Sequence, residues 1–162
     1  MNELNNFFEI IDNKFLKLLK IVKRAEKNLK TIKINVLSLD DDRAILKLYQ
    51  TYFKKYSNIN FYSAKNYKEF ELLKKSLQID VFMIDIIMPD KNGLEIIKNL
   101  RKNDNILICS SAIELNIEQI QQLKTKYCNL VWLKKMNVNS VLYDTIISSY
   151  LRTKKQREGI KV

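Results

Sequence analysis

The chain has 162 residues, 46% apolar and 10% aromatic, with a net charge of +11, which suits one ordinary domain plus an appendage and is too short for two typical domains. Two glycines and one proline exclude a loop-rich all-β fold and long disordered linkers. Histidine is absent, which excludes Ser/His and Cys/His nucleophile chemistry and any role as a phosphohistidine donor, and a zinc site would need an unusual ligand set.

Cys109 and Cys128 have no metal-ligand spacing and read as reduced thiols. No window approaches the roughly 18 apolar residues of a membrane span, and the N-terminus lacks a signal-peptide pattern, so a cytoplasmic location is expected. Residues 1–32 and 151–162 carry +7 of the net charge. A basic excess can mean nucleic acid or an anionic surface, but the Lys-, Asn- and Ile-heavy composition fits a general bias equally well.

In chain order, residues 2–30 predict one long helix: Leu4, Phe8, Ile11, Phe15, Leu18, Val22, Ala25 and Leu29 recur at alternating spacings of three and four, a heptad stripe. Burying five such side chains at about 1.5–3 kcal/mol each makes solvent exposure untenable. A homodimer through residues 4–29 is expected, with docking onto the chain's own domain as the alternative. Residues 1–32 therefore form an N-terminal helical segment, 33–151 the main domain and 152–162 a basic tail.

From residue 34 the pattern switches to apolar runs alternating with helical stretches. Strands are expected at 34–39, 59–64, 80–84, 105–112 and 130–133, and helices at 43–56, 66–77, 93–102, 115–127 and 138–151. Five βα units in succession imply a doubly wound α/β fold, a parallel sheet with helices on both faces and right-handed crossovers.

The strands end in chemistry. The first runs into Asp40, Asp41 and Asp42, the third into Asp85, the fourth into Ser111 and the fifth into Lys134 and Lys135. In a parallel sheet these ends share one edge, where α/β sites form. Clustered carboxylates repel unless a cation neutralises them, and an all-oxygen set suits Mg²⁺, held by Asp41 and Asp85.

Leu39-Asp40-Asp41-Asp42, the run from Ile84-Asp85 through Met88-Pro89-Asp90 to Gly93, Ser111-Ala112 and Leu133-Lys134 resemble the receiver domain of two-component response regulators, of the stand-alone, chemotaxis-regulator-like kind. The resemblance implies a flavodoxin-like five-stranded sheet of order 2-1-3-4-5, here with an extra N-terminal helix. It implies that Asp85 accepts a phosphoryl group from a phosphohistidine on a partner histidine kinase or phosphotransfer protein. Asp41 and Asp85 would hold Mg²⁺ directly, Asp40 through water, and the Ile87 backbone carbonyl would be a further ligand. Lys134 would pair with a phosphoryl oxygen, and Ser111 would donate its hydroxyl to the phosphoryl group. The chain departs from the family where proline normally follows the lysine, a position held by Lys135 on this alignment, and at the switch aromatic three residues before it, which is Val131 with Trp132 beside it.

The reading that follows is a single-domain phosphoacceptor switch with no output domain, signalling to a downstream protein and catalysing only its own phosphotransfer and dephosphorylation. A pseudo-receiver scaffold acting through the basic helix and tail is the alternative. A nucleic-acid binder is the weaker one, since no DNA-reading motif follows the domain. Ile87 and Ile113, two residues past Asp85 and Ser111, cannot hold a hydrolytic water, so a long-lived aspartyl phosphate is expected.

Overall fold

The computed structural model describes residues 32–111, 117–135 and 140–157. The expected helix of residues 2–30, its dimer seam at 4–29, Ala112, Ile113 and the tail beyond residue 157 lie outside the described residues. Five strands alternate with five helices: β1 (Ile34–Leu39), α1 (Arg43–Phe53), β2 (Ile59–Ala64), α2 (Tyr67–Ser76), β3 (Val81–Ile84), α3 (Gly93–Lys98), β4 (Asn105–Ser110), α4 (Ile117–Lys126), β5 (Leu130–Lys134) and α5 (Ser140–Arg157). All neighbouring strands pair in parallel, and their order is β2-β1-β3-β4-β5, as the resemblance implies. No helix among the described residues is long and apolar enough to cross a membrane.

Strand side chains alternate between faces, and both faces are covered. Leu37, Leu39, Phe82, Ile84, Ile106 and Ile108 join Phe70 of α2, Ile96 and Ile97 of α3, and Ile120 and Leu123 of α4 in one buried cluster. The opposite face carries Val36, Met83 and Leu107, all buried. Phe53 of α1 stacks there on Phe61, the register partner of Val36, at 5.0 Å. Tyr143 of α5 stacks on Tyr56, just past α1, at 3.9 Å. Continuous apolar strands are what such two-sided burial requires.

Local signals set the helix ends. Asp42 caps α1 by accepting from Ala44 and Ile45, and Asn66 caps α2 by accepting from Glu69 at 2.9 Å. The Glu69 carboxylate returns a bond to the Lys65 N–H at 3.0 Å, a variant of the capping box. Helix α3 is shorter than expected, ending at Lys98. The N–H groups of Asn99 and Leu100 bond three residues back, to Ile96 and Ile97, and tighten the chain into a turn.

Helix α5 is longer than expected, running six residues past Leu151 to Arg157. Its extra turns are fastened where β4 and β5 begin. Thr153 is 3% exposed, accepts from Asn129 Nδ2 at 3.2 Å and is hydrogen-bonded to Asn105 Oδ1. Asn105 in turn donates to the Asp80 carbonyl at 2.8 Å. Replacing Thr153 by Val should strand these buried amide atoms and lower stability by about 1–3 kcal/mol, read as a fall in the urea midpoint. Arg152→Ala, on the exposed side of the same turn, should change it by less than about 0.5 kcal/mol. Equal effects would show that the end of α5 is not fastened through Thr153.

Candidate functional site

The sheet order brings the acids together. Leu39 pairs with Ile84, so the next residues, Asp40 and Asp85, leave β1 and β3 side by side on the α1/α5 face. Backbone bonds continue the ladder one step, Asp85 N–H to the Leu39 carbonyl at 3.0 Å and Asp40 N–H to the Ala64 carbonyl at 3.1 Å. Asp40 is 1% and Asp85 4% exposed, whereas Asp41 is exposed. One carboxylate oxygen from each of the three lies within 4.8 Å of the others.

The cation on this cluster is Lys135. Its Nζ lies 2.7 Å from Asp85 Oδ2 and 2.9 Å from Asp40 Oδ2, with its side chain 12% exposed. The resemblance implies Lys134 at this place, and the geometry puts Lys135 there instead. Ser110 pairs with Lys134, and the Lys135 N–H bonds the Ser110 carbonyl at 3.1 Å. With a side-chain period of two, position 135 falls on the face of Asp40 and Asp85, and position 134 on the other. The shift by one also moves the position three before the lysine from Val131 to Trp132, an aromatic that is 44% exposed, and moves the proline position to Met136. Counting back from each lysine to an aromatic was the signal that could have chosen between them.

Ser111 is the first residue past β4, exposed, at the register position beside Lys135. Ile87 lies two residues past Asp85 and is 54% exposed, while Met88 next to it is buried. The loop returns so closely that the Gly93 N–H bonds the Ile86 carbonyl at 2.8 Å, and a Cβ on Gly93 would sit 1.9 Å from the Asp85 carbonyl oxygen. Only glycine admits that approach. Asp90 accepts from the Tyr67 N–H at 3.0 Å, and the Lys91 ammonium lies 3.8 Å from the Tyr67 ring centre, so the loop is tied to the start of α2. None of these three loop roles was read from the sequence.

Burial pushes the Asp40 carboxyl up to about 6 despite the Lys135 and Asp42 hydrogen bonds that favour its charge. Burial pulls Lys135 down, but its bonds to Asp85 and Asp40 outweigh that and hold it above the ordinary lysine value. Burial also pushes the Cys109 thiol beneath the site up to about 12, which leaves it an inert core side chain. Asp85 Oδ1 is buried with no hydrogen-bond partner among the described residues. An unpartnered anionic oxygen within a three-carboxylate, all-oxygen set fits a hard divalent cation.

Because the folded pKa of Asp40 lies above its ordinary 3.8, the folded state keeps a proton that the unfolded state has lost, and stability falls as pH rises from about 4 to about 6. In divalent-free buffer, Asp40→Asn should raise stability at pH 7 by about 1–3 kcal/mol. The gain should disappear below about pH 4, where Asp40 is neutral in both states. Urea unfolding across this range checks it, and a pH-independent gain would contradict the assignment.

The response regulator receiver domain family matches residues 36–145. The transcriptional regulatory protein MalR of Bacillus subtilis (strain 168) is 30% identical over 88 residues, which cover 52% of this chain and 37% of MalR. This chain thus aligns with little more than a third of that relative. The receiver domain of the Francisella response regulator 1452 superposes with a TM-score of 0.61 at 29% identity, covering 75% of this chain and 99% of that one. A CheY-like receiver domain protein from Methanospirillum hungatei JF-1 shares the fold with a TM-score of 0.66 at 19% identity, covering 76% and 98%. With the sheet order, the acid cluster at its edge and a family match over most of the chain, this protein belongs to the response regulator receiver domain family of two-component signal transduction.

Proposed function

We propose that the chain is a phosphoacceptor switch in which Asp85 takes a phosphoryl group from the phosphohistidine of a partner histidine kinase or phosphotransfer protein. The observation that carries this reading is the state of the Asp85 carboxylate: Lys135 holds one oxygen at 2.7 Å, and the other has no hydrogen-bond partner among the described residues. In the forward step an Asp85 oxygen bonds phosphorus as the phosphorus–nitrogen bond breaks, and the imidazole leaves with a proton from solvent. Hydrolysis reverses the state, as water attacks phosphorus and releases inorganic phosphate and free Asp85.

Phosphoryl transfer asks mainly for positioning and charge neutralisation, and the chain supplies both. Lys135 is a mobile point charge that would turn from Asp85 to a phosphoryl oxygen, and the Ser111 hydroxyl would donate to another. Asp41 and Asp85, with Asp40 through water and the Ile87 carbonyl, would hold Mg²⁺, which when bound adds positive charge against the phosphoryl oxygens. The protein would act in the cytoplasm, signal to a downstream protein target and perform no chemistry beyond its own phosphorylation and dephosphorylation. A homodimer through residues 4–29 belongs to the same proposal.

With Mg²⁺ and a small phosphodonor, intact mass should show one added phosphate on the full chain and none on Asp85→Asn. Lys135→Ala should slow labelling by about 10²–10³-fold, the effect of losing one preorganised charge partner, and Lys134→Ala should leave it near wild type. Equal labelling of Asp85→Asn, or a larger loss in Lys134→Ala than in Lys135→Ala, would overturn the reading.

The lifetime of the phosphoryl group follows from the apolar neighbour. An exposed Ile87 cannot align a water for in-line attack, so hydrolysis lacks a positioning group. Ile87→Asn combined with Ile113→Glu should speed phosphate loss by about tenfold, or roughly 1.4 kcal/mol of barrier, followed by the decay of the labelled mass. Unchanged decay would refute this account of the lifetime.

A further inference from the structure

The outer face of α2 is a single stripe. Lys68, Leu72, Lys75 and Ser76 are the exposed residues of this helix, and spacings of four and three put the first three on one line along it. Leu72 is 68% exposed, the most open of the large apolar side chains described. It does not stand alone: Tyr67, Lys68, Leu72 and Lys75 all border a hollow of about 690 Å³, so the Tyr67 ring and the lysine stems extend its apolar surface.

Charge decides what fits there. Glu69 and Glu71 also border the hollow, but each is engaged within the chain. Glu69 lies 3.2 Å from the Lys65 ammonium and accepts the Lys65 N–H at 3.0 Å, and Glu71 holds the Lys74 ammonium at 2.6 Å. Lys68 and Lys75 form no ion pair among the described residues, so the stripe reads cation, apolar, cation. A second copy related by a two-fold axis would set this stripe against itself, lysine against lysine, and residues 1–32 are themselves net basic. Neither complements it. The face is fixed at its first residue, where Asp90 accepts the Tyr67 N–H at 3.0 Å and the Lys91 ammonium lies 3.8 Å from the ring centre.

We propose that this face docks a partner protein through an acidic amphipathic helix, with one large apolar side chain seated on Leu72 and a carboxylate one turn to either side, against Lys68 and Lys75. Helices recognised by their faces present anchors at this spacing, and complementary charges fix the register and reject wrong partners. The inference does not depend on the phosphoacceptor reading.

The test is an amide ¹⁵N–¹H titration of the full chain with an end-blocked helical peptide of about 18 residues, leucine at its centre and glutamate one turn to either side. Two control peptides carry lysine in place of both glutamates, or glutamine in place of the leucine. Saturable shifts centred on α2, residues 67–76, are expected with a Kd below about 1 mM, and each control should bind at least about tenfold more weakly. Lys68→Glu with Lys75→Glu should reverse the preference, so that the lysine peptide binds more tightly than the glutamate peptide. Leu72→Gln keeps a good helix former and should weaken binding by about tenfold, and because the side chain is exposed the thermal midpoint should not move. Absence of saturation up to about 10 mM, shifts centred elsewhere, or a charge preference that does not reverse would each overturn the proposal. So would α2 shifts that change on dilution without peptide, the sign of a second copy. Changes at residues 1–31 on Leu72→Gln without peptide would overturn it too, since the chain's own N-terminal segment would then hold the face.

Discussion

The contact on which the rest of this structure depends is a single ammonium group set between two buried carboxylates. Asp40 and Asp85 are almost wholly buried, and each would cost several kcal/mol to keep ionised without a partner. Lys135 reaches both within 3 Å, so one cation offsets two acids and the site retains an excess of negative charge. That excess is what a divalent cation or a cationic donor would meet. The sheet order makes the arrangement possible, because β1 lies between β2 and β3 and the chain reverses direction across the sheet there. A crevice opens at such a switch point, and the first residues past β1 and β3 are Asp40 and Asp85.

The loop after β3 is built to hold Asp85 still from behind. Gly93 approaches the Asp85 carbonyl too closely for any side chain, Asn92 caps α3 by accepting from Leu94, and Met88 is buried. Farther along, Asp90 and Lys91 grip the first residue of α2. Asp85 is therefore tied in two directions, through Lys135 to the end of β5 and through the 86–92 loop to α2. The exposed Trp132 lies on the first of these, three residues before the lysine.

The opposite edge of the sheet is organised by neutral polar groups. Asn105, Asn129 and Thr153 form a buried hydrogen-bonded cluster that pins the end of α5 to the start of β4 and β5. Amides and a hydroxyl can satisfy one another without the desolvation cost that charges carry. The two edges of the same sheet thus differ in what lies buried at them, amides and a hydroxyl at one and charged groups at the other.

The alternation of five strands and five helices was legible in the sequence because two-sided burial demands apolar runs and helices demand a 3.6-residue period. Asp40, Asp41 and Asp85 were legible because a carboxylate at the end of an apolar run has few structural reasons to be there. The choice between Lys134 and Lys135 was not legible in composition or hydropathy, which are the same for adjacent identical residues, and the spacing back to Trp132 bears on it only through the family resemblance. Only the pairing of Ser110 with Lys134 sets which of the two shares a face with the acids, and a one-residue change of register exchanges the faces of a strand. The length of α5 was hidden for a related reason: Arg152, Lys154 and Lys155 make its last turns look like a solvated tail, and Thr153 reveals itself as buried only when Asn105 and Asn129 arrive from distant parts of the chain. Local patterns determined the elements and named the acids, whereas the partners of those acids were decided by strand register, which exists only once the sheet has formed.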